Sequence, residues 1–305
     1  MAASKLLILL TGPTSVGKTA LSIQLALKLN TEIISFDSRQ FYSEMRIGTA
    51  PPSQKALELV PHHFIFHKSI HDEYSVGSFE KDAINKLEEL FETKDVVIAV
   101  GGSGLYMDAI TKGLDKFPEV SPGVRLKLNQ EFRKFGIEHL QKELADADPA
   151  YYQEVDLKNH TRLIRALEIT RETGKPYSGF RHNTPKSRFF QSMTIALNLN
   201  RADIYDRINL RVDEMMLQGL MKEAKELYPF REKNALQTVG YQEIFSFLGG
   251  KWNYETAIEE IKKNTRRYAK RQLTWLRRDE SIHWFEPNDL AAVLELIENT
   301  RNEES

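Results

Sequence analysis

The chain has 305 residues, 42 basic against 43 acidic side chains for a net charge of −1, and 41% hydrophobic positions. This composition excludes extensive disorder and leaves room for one large α/β domain with an insertion, or for two domains. With no cysteine, disulfides, thiolate metal sites, iron–sulfur clusters and cysteine nucleophiles are excluded, so chemistry falls to carboxylates, Arg, Lys, hydroxyls, His or a hard metal ion.

The first apolar run, residues 6–10, is far short of the ~20 residues needed to cross a bilayer, and no signal-peptide pattern precedes it. A cytoplasmic protein with no membrane partner is expected. The run 5–11, Lys-Leu-Leu-Ile-Leu-Leu-Thr, predicts a buried parallel strand. Glycine follows at once, and residues 20–29 carry apolar side chains at helical spacing, so the opening unit reads strand, glycine-rich loop, helix.

That loop is Gly12, Pro13, Thr14, Ser15, Val16, Gly17, Lys18 and Thr19, and it fits the phosphate-binding pattern G-x-x-x-x-G-K-[ST] without a mismatch. Between a strand and a helix, such a loop wraps backbone N–H groups and the positive helix terminus around a phosphate. Lys18 would neutralise phosphate oxygens and the Thr19 hydroxyl would ligate Mg²⁺. The pattern leaves open whether the diphosphate belongs to a nucleotide such as ATP or to another molecule.

Residues 32–36 predict a second strand ending at Asp37, on the edge where parallel α/β sheets place ligands. A carboxylate there can act as general base or hold a metal through water; alone it reads equally as a turn or helix cap. His62 and His63 are adjacent and point apart, which argues against a metal site. An amphipathic helix is predicted over residues 77–91. Residues 95–100 give a third strand, closed by Gly101, Gly102, Ser103 and Gly104, where backbone can approach a ligand and Ser103 can hydrogen-bond it.

Between residues 117 and 190 no strand pattern occurs, and charged helical segments are broken by Pro118, Pro122, Pro149, Pro176 and Pro185. The expected organisation is a P-loop NTPase-like parallel sheet covered by helices, in two parts at 1–116 and 191–305, with a helical insertion domain at 117–190. A later strand is predicted over 193–199 and long helices over 203–227 and 254–276. The polar tail 299–305 is expected to fray. Arg207 and Arg211 share one helical face, as surface ion-pair partners or as cations for a departing diphosphate.

From Lys262 to Arg278 the chain carries eight basic residues and no acid: Lys262, Lys263, Arg266, Arg267, Lys270, Arg271, Arg277 and Arg278. At about 100° per residue they occupy one half of a helix, with Tyr268, Ala269, Trp275 and Leu276 on the other. A solvated face and a nucleic-acid surface both fit; the single sign favours a phosphate backbone.

Taken together, the chain resembles the tRNA dimethylallyltransferase (tRNA isopentenyltransferase) family over nearly its whole length. The resemblance rests on the phosphate loop, on Asp37-Ser38-Arg39-Gln40-Phe41-Tyr42 with Ile47-Gly48-Thr49-Ala50, on Val60-Pro61-His62-His63, and on Gly101-Gly102-Ser103-Gly104-Leu105-Tyr106. It extends to Arg162-Leu163-Ile164-Arg165-Ala166-Leu167-Glu168, Val239-Gly240-Tyr241 and Lys270-Arg271-Gln272-Leu273-Thr274-Trp275-Leu276-Arg277.

The resemblance implies transfer of a dimethylallyl group from dimethylallyl diphosphate to N6 of the adenine just 3′ of the anticodon in tRNA, with Mg²⁺, and no obligate protein partner. It carries an ATP-binding family label as well. Asp37 would take the N6 proton, Ser103 would lie near the adenine, and Arg211 would stabilise the leaving diphosphate. It implies tRNA contacts at Asp37, Ser38, Arg39, Gln40, Ser103 and Arg125. Further contacts would be Thr161, Arg162, Leu163, Ile164, Arg165, Gln237, Thr238, Val239, Gly240, Tyr241 and Gln242, and the segment Lys270, Arg271, Gln272, Leu273, Thr274, Trp275, Leu276 and Arg277. Ser103 replaces a common Thr, Pro51 a common Lys, and Thr161 a common Gln. A small-molecule kinase, a prenyltransferase acting on free adenine nucleotides and a non-catalytic RNA-binding protein remain the alternatives.

Overall fold

A computed structural model of the protein describes residues 5–182 and 184–302. The chain forms two compact units, one built from residues up to 111 and from 187 onward, the other spanning Lys112–Lys186. The first unit begins with β1 (Leu6–Thr11), α1 (Lys18–Leu29), β2 (Ile33–Ser35), α2 (Gln54–Leu59), β3 (His62–His63), α3 (Val76–Phe91), β4 (Val96–Val100) and α4 (Gly104–Thr111). The second unit holds α5 (Pro122–Phe135), α6 (Ile137–Ala147), α7 (Pro149–Glu154) and α8 (His160–Thr173). The first then resumes with β5 (Gln191–Leu197), α9 (Arg201–Leu217), α10 (Leu220–Leu227), α11 (Tyr241–Leu248), α12 (Tyr254–Leu276), β6 (His283–Phe285) and α13 (Leu290–Asn302).

The six strands form one parallel sheet in the order β3-β2-β4-β1-β5-β6. Every residue of β1 is buried, as a central strand covered on both faces requires. Leu7, Leu9, Ile34, Phe36, Val97 and Ala99 face a core shared with α3 and α9–α12. Leu6, Ile8, Leu10, Ile33, Ile98 and Ile195 face the opposite core under α1 and α13. Burial of such side chains contributes roughly 1.5–3 kcal/mol each, which fixes strand register. Because β2, β4 and β1 are neighbours, the chain leaves the sheet at Asp37, Gly101 and Gly12 on one edge.

The helix expected over 203–227 is two helices. Gly219 adopts φ +103 and opens α10 as its N-cap, a left-handed conformation that ends the helical path of α9. Strands β3 and β6 lie on the sheet edges and have two and three residues, too short for a periodic signal. The tail is helical through Asn302, because Val293 and Ile297 anchor α13 on the core; residues 303–305 lie outside the described residues.

In the second unit Leu128, Leu140, Leu144, Leu163, Ala166 and Leu167 form a separate core. Buried Asp148 caps α7 through the Tyr151 N–H and also accepts from Ser178. Arg171 bonds Glu131 and Glu143 together, so its guanidinium already answers both charges.

Candidate active site

The phosphate loop leaves β1 through Gly12 at φ +138, where a Cβ would sit 2.5 Å from the Leu197 carbonyl oxygen, so only glycine fits. Gly17, at φ +115, forms the N-cap of α1. Lys18 folds back over the loop, donating to the carbonyls of Gly12 and Pro13 at 2.9 Å each. Burial, and then the charge of Arg211, push the Lys18 ammonium down to about 8, with Asp37 opposing them.

Arg211, on α9, spans the loop and a neighbouring turn. Its Nη2 donates to the Ala50 carbonyl at 2.8 Å, and Nη1 reaches the hydroxyls of Thr14 at 3.3 Å and Ser15 at 3.5 Å. Burial pulls its pKa below the usual value, with Asp37 and Glu214 working in the opposite direction. One turn earlier, Arg207 donates to the Val16 carbonyl at 3.2 Å. Both arginines therefore serve the loop, rather than Asp203, which accepts from the Asn200 side chain at the start of the same helix.

Asp37 follows β2 and accepts the Arg39 N–H at 3.0 Å in a tight turn. The Ser38 N–H donates to Ser103 Oγ at 3.3 Å, and the two hydroxyls are 3.2 Å apart. Tyr268, from α12, joins this group through a hydrogen bond to Ser103; burial, then the Asp37 charge, push its phenol up to about 12. Gln40 turns inward and donates to the Thr49 and Ala50 carbonyls at 3.3 Å.

Thr14, Asp37, Ser38, Arg39, Arg211 and Tyr268 from these groups line a cavity of about 250 Å³. One end is polar, with Thr14, Asp37, Ser38, Arg39 and Arg211, while Ile208, Val212, Met215, Val239 and Ile261 form an apolar wall beside Tyr268. Gly48, Thr49, Ala50, Thr238, Gly240 and Thr265 complete the lining.

The turn carrying Thr49 and Ala50 is held by Glu223 on α10. Its carboxylate accepts from the N–H groups of Arg46, Ile47 and Gly48 at 2.8–2.9 Å and from the Tyr241 hydroxyl at 2.6 Å. Gly48 is required there, since a Cβ would lie 2.5 Å from the Tyr241 ring.

Several residues implied as tRNA contacts are inside the fold. Tyr241, Leu163, Ile164, Leu276 and Gln272 are buried, so their side chains are closed to an external polymer. Helix periodicity explains the burial, because a segment on a packed helix necessarily includes core-facing positions. Trp275 also packs inward, with its ring against Gly104, and Leu273 joins Ile204, Ile208 and Ala269.

Thr161, Arg162, Gln237, Gln242, Lys270, Arg271, Thr274 and Arg277 are exposed. In the second unit Arg125 and Arg165 both bond the buried Glu168. Gln237 and Gln242 bond each other at 2.8 Å and line an open groove of about 430 Å³ with Arg231 and Trp252.

The basic face of α12 is less uniform than its sequence. Lys262 pairs with Asp213 at 2.8 Å, Lys263 with Glu260 at 2.6 Å, and Arg266 bonds Asn209 at 2.6 Å. Arg267, Lys270, Arg271, Arg277 and Arg278 remain exposed. Tyr268, Glu223 and the apolar wall carry no sequence signal of their own: Tyr268 falls on the core half of its helix, and Glu223 is one acid among many on α10.

The profile of the IPP transferase family matches residues 40–279. The tRNA dimethylallyltransferase of Christiangramia forsetii is 59% identical over 283 residues, covering 93% of this chain and 94% of its own. That of Flavobacterium johnsoniae is 53% identical over 288 residues, 92% and 93% of the two chains. Among solved structures, the full-length tRNA isopentenylpyrophosphate transferase of Bacillus halodurans superposes with a TM-score of 0.73 at 35% identity, over 98% of this chain and 97% of its own. A eukaryotic dimethylallyltransferase acting on tRNA gives 0.77 at 28% identity, over 94% and 75%. With a profile match across most of its length and relatives this similar nearly end to end, the chain belongs to the IPP transferase family.

Proposed function

We propose that this protein transfers a dimethylallyl group from dimethylallyl diphosphate to N6 of the adenine immediately 3′ of the anticodon in tRNA, releasing diphosphate. The observation that carries the reading is one cavity in which the Asp37 carboxylate, the Arg211 guanidinium and the phosphate loop meet an apolar wall. A diphosphate with a short hydrocarbon chain matches that division, its anionic end toward Thr14, Lys18 and Arg211 and its chain toward Val212, Met215 and Ile261.

The reaction forms a bond from N6 to the allylic carbon and breaks that carbon's bond to oxygen, with the electron pair leaving on diphosphate. The N6 proton passes to Asp37. An exocyclic amine is a weak nucleophile, so a carboxylate beside it and fixed cations at the leaving group both lower the barrier. Ser103, tied to Ser38 and Tyr268, would orient the adenine. The base must leave its stack to enter the cavity.

Mg²⁺ is the fitting metal. Thr19 offers a hard hydroxyl oxygen on the first turn of α1, beside Lys18, and would hold the ion together with oxygen ligands of the kind magnesium prefers. When bound, it supplies further neutralisation of diphosphate charge. On the first unit the tRNA contacts are Asp37 to Gln40, the exposed members of 237–242, and the α12 cations Lys270, Arg271 and Arg277; on the second they are the exposed members of 161–165. The reading places the reaction with its tRNA acceptor in the cytoplasm; among the described residues no helix is long and apolar enough to cross a membrane.

Incubation with Mg²⁺, labelled dimethylallyl diphosphate and equal concentrations of unmodified tRNA, AMP and ATP tests the reading. Label is expected in tRNA alone. Label in AMP or ATP would move the protein to the nucleotide-prenylating class.

A further inference from the structure

We infer that Gln272 is a positioning residue for the donor diphosphate and not a tRNA contact, its buried carboxamide locking the phosphate loop to the end of β4. The inference rests on the transfer reading and adds a residue to the donor side of it. Gln272 lies on α12 among exposed cations, yet is only 7% exposed itself. Its Oε1 accepts the Thr14 N–H at 2.9 Å and its Nε2 donates to the Gly102 carbonyl at 2.9 Å.

A carboxamide accepts from one backbone and donates to the other at the same time; a carboxylate would face the Gly102 carbonyl without a proton, and an ammonium would face the Thr14 N–H without a lone pair. Gly102 is part of the same arrangement. A Cβ at that position would stand 2.2 Å from Gln272 Nε2, so the bridge exists only with glycine there.

The bridge has two consequences. The Thr14 N–H is already engaged, so the loop is held open for an anion by an internal bond, and its ordering cost is met on folding instead of on binding. Thr14 is also the residue whose hydroxyl meets Arg211, so Gln272 fixes the loop end where the leaving-group cation docks.

The test measures pyrophosphate affinity by calorimetry, tRNA affinity by filter binding without donor, and the KM for dimethylallyl diphosphate, on the full chain. Gln272→Ala is expected to weaken pyrophosphate binding and raise the donor KM by about tenfold to a hundredfold, with tRNA affinity unchanged. Gly102→Ala, which leaves Gln272 chemically intact but displaces it, is expected to reproduce that split, and the double variant to be no worse than the poorer single one. Gln272→Asn, one methylene shorter, serves if Gln272→Ala fails to fold and should show the same split. Weakened tRNA binding with unchanged pyrophosphate affinity, equal losses in both, or no change in either would overturn the inference. Because pyrophosphate binding is read without turnover, a wild-type protein that fails to prenylate tRNA would count against the transfer reading alone.

Discussion

Arg211 and Ala50 are 161 positions apart in the chain, yet the guanidinium donates to the Ala50 carbonyl at 2.8 Å. Ala50 adopts φ +44, a left-handed conformation for a residue with a side chain, and the turn before it is held by Glu223. The Arg211 guanidinium is therefore aimed by a chain of contacts from α10 through the turn, and not by α9 alone.

Replacing that fork with a point charge should expose its role. In Arg211→Lys the ammonium cannot bond the Ala50 carbonyl while also spanning Thr14 and Ser15. The expected result is a loss in kcat of about 10²–10³, with tRNA affinity retained in a binding assay. An unchanged kcat would remove Arg211 from the leaving-group role.

Lys18 gives a pH dependence. Its ammonium is depressed to about 8 in the free protein, first by burial and then by Arg211. An anion favours the protonated form, so binding takes up a proton once the free amine begins to deprotonate. Pyrophosphate affinity, measured without added metal and corrected for the ionisation of pyrophosphate itself, is expected to weaken as pH rises beyond about 8. Affinity that strengthens over the same range contradicts this account of the loop.

Gly48→Ala drives a methyl group into the Tyr241 ring, which is fully buried and has no room to retreat. Urea denaturation should record a loss of about 1–3 kcal/mol, typical of overpacking in a core. Activity should fall as well, because the displaced turn carries the Ala50 carbonyl. Full stability in this variant would mean that the turn yields easily and does not aim Arg211.

The exposed cations of α12 predict a salt signature. Changing Lys270 and Arg271 to alanine should reduce the slope of log affinity for tRNA against log salt by about 0.7–0.9 for each phosphate that is no longer neutralised. Lys262→Ala, whose cation is paired with Asp213, should leave the slope unaltered. A slope indifferent to Lys270 and Arg271 would place the tRNA backbone elsewhere.

The sheet is legible in the sequence because β1, β2 and β4 are continuous apolar runs ending in glycine or aspartate, and burial on both faces leaves strands no other composition. Likewise the loop from Gly12 to Thr19 announces its chemistry, since the glycines and Lys18 satisfy backbone demands that few sequences share. The break at Gly219 is hidden because glycine is tolerated within helical patterns, and only its positive φ ends α9. Gln272 and Tyr241 mislead for a different reason: in a segment that faces a ligand, sequence alone cannot separate the helix face that meets it from the face packed beneath. Glu223 and Tyr268 act through contacts spanning more than a hundred residues, from Glu223 to Gly48 and from Tyr268 to Ser103, and local patterns do not carry such pairings.

The most direct measurement maps the product. Unmodified tRNA with adenine 3′ of the anticodon is treated with the protein, Mg²⁺ and dimethylallyl diphosphate, then digested with nuclease and read by mass spectrometry alongside released diphosphate. One dimethylallyl group on that adenine with equimolar diphosphate is expected, and loss of both in Asp37→Asn. Modification at another position, diphosphate release without transfer, or full turnover in Asp37→Asn would contradict it.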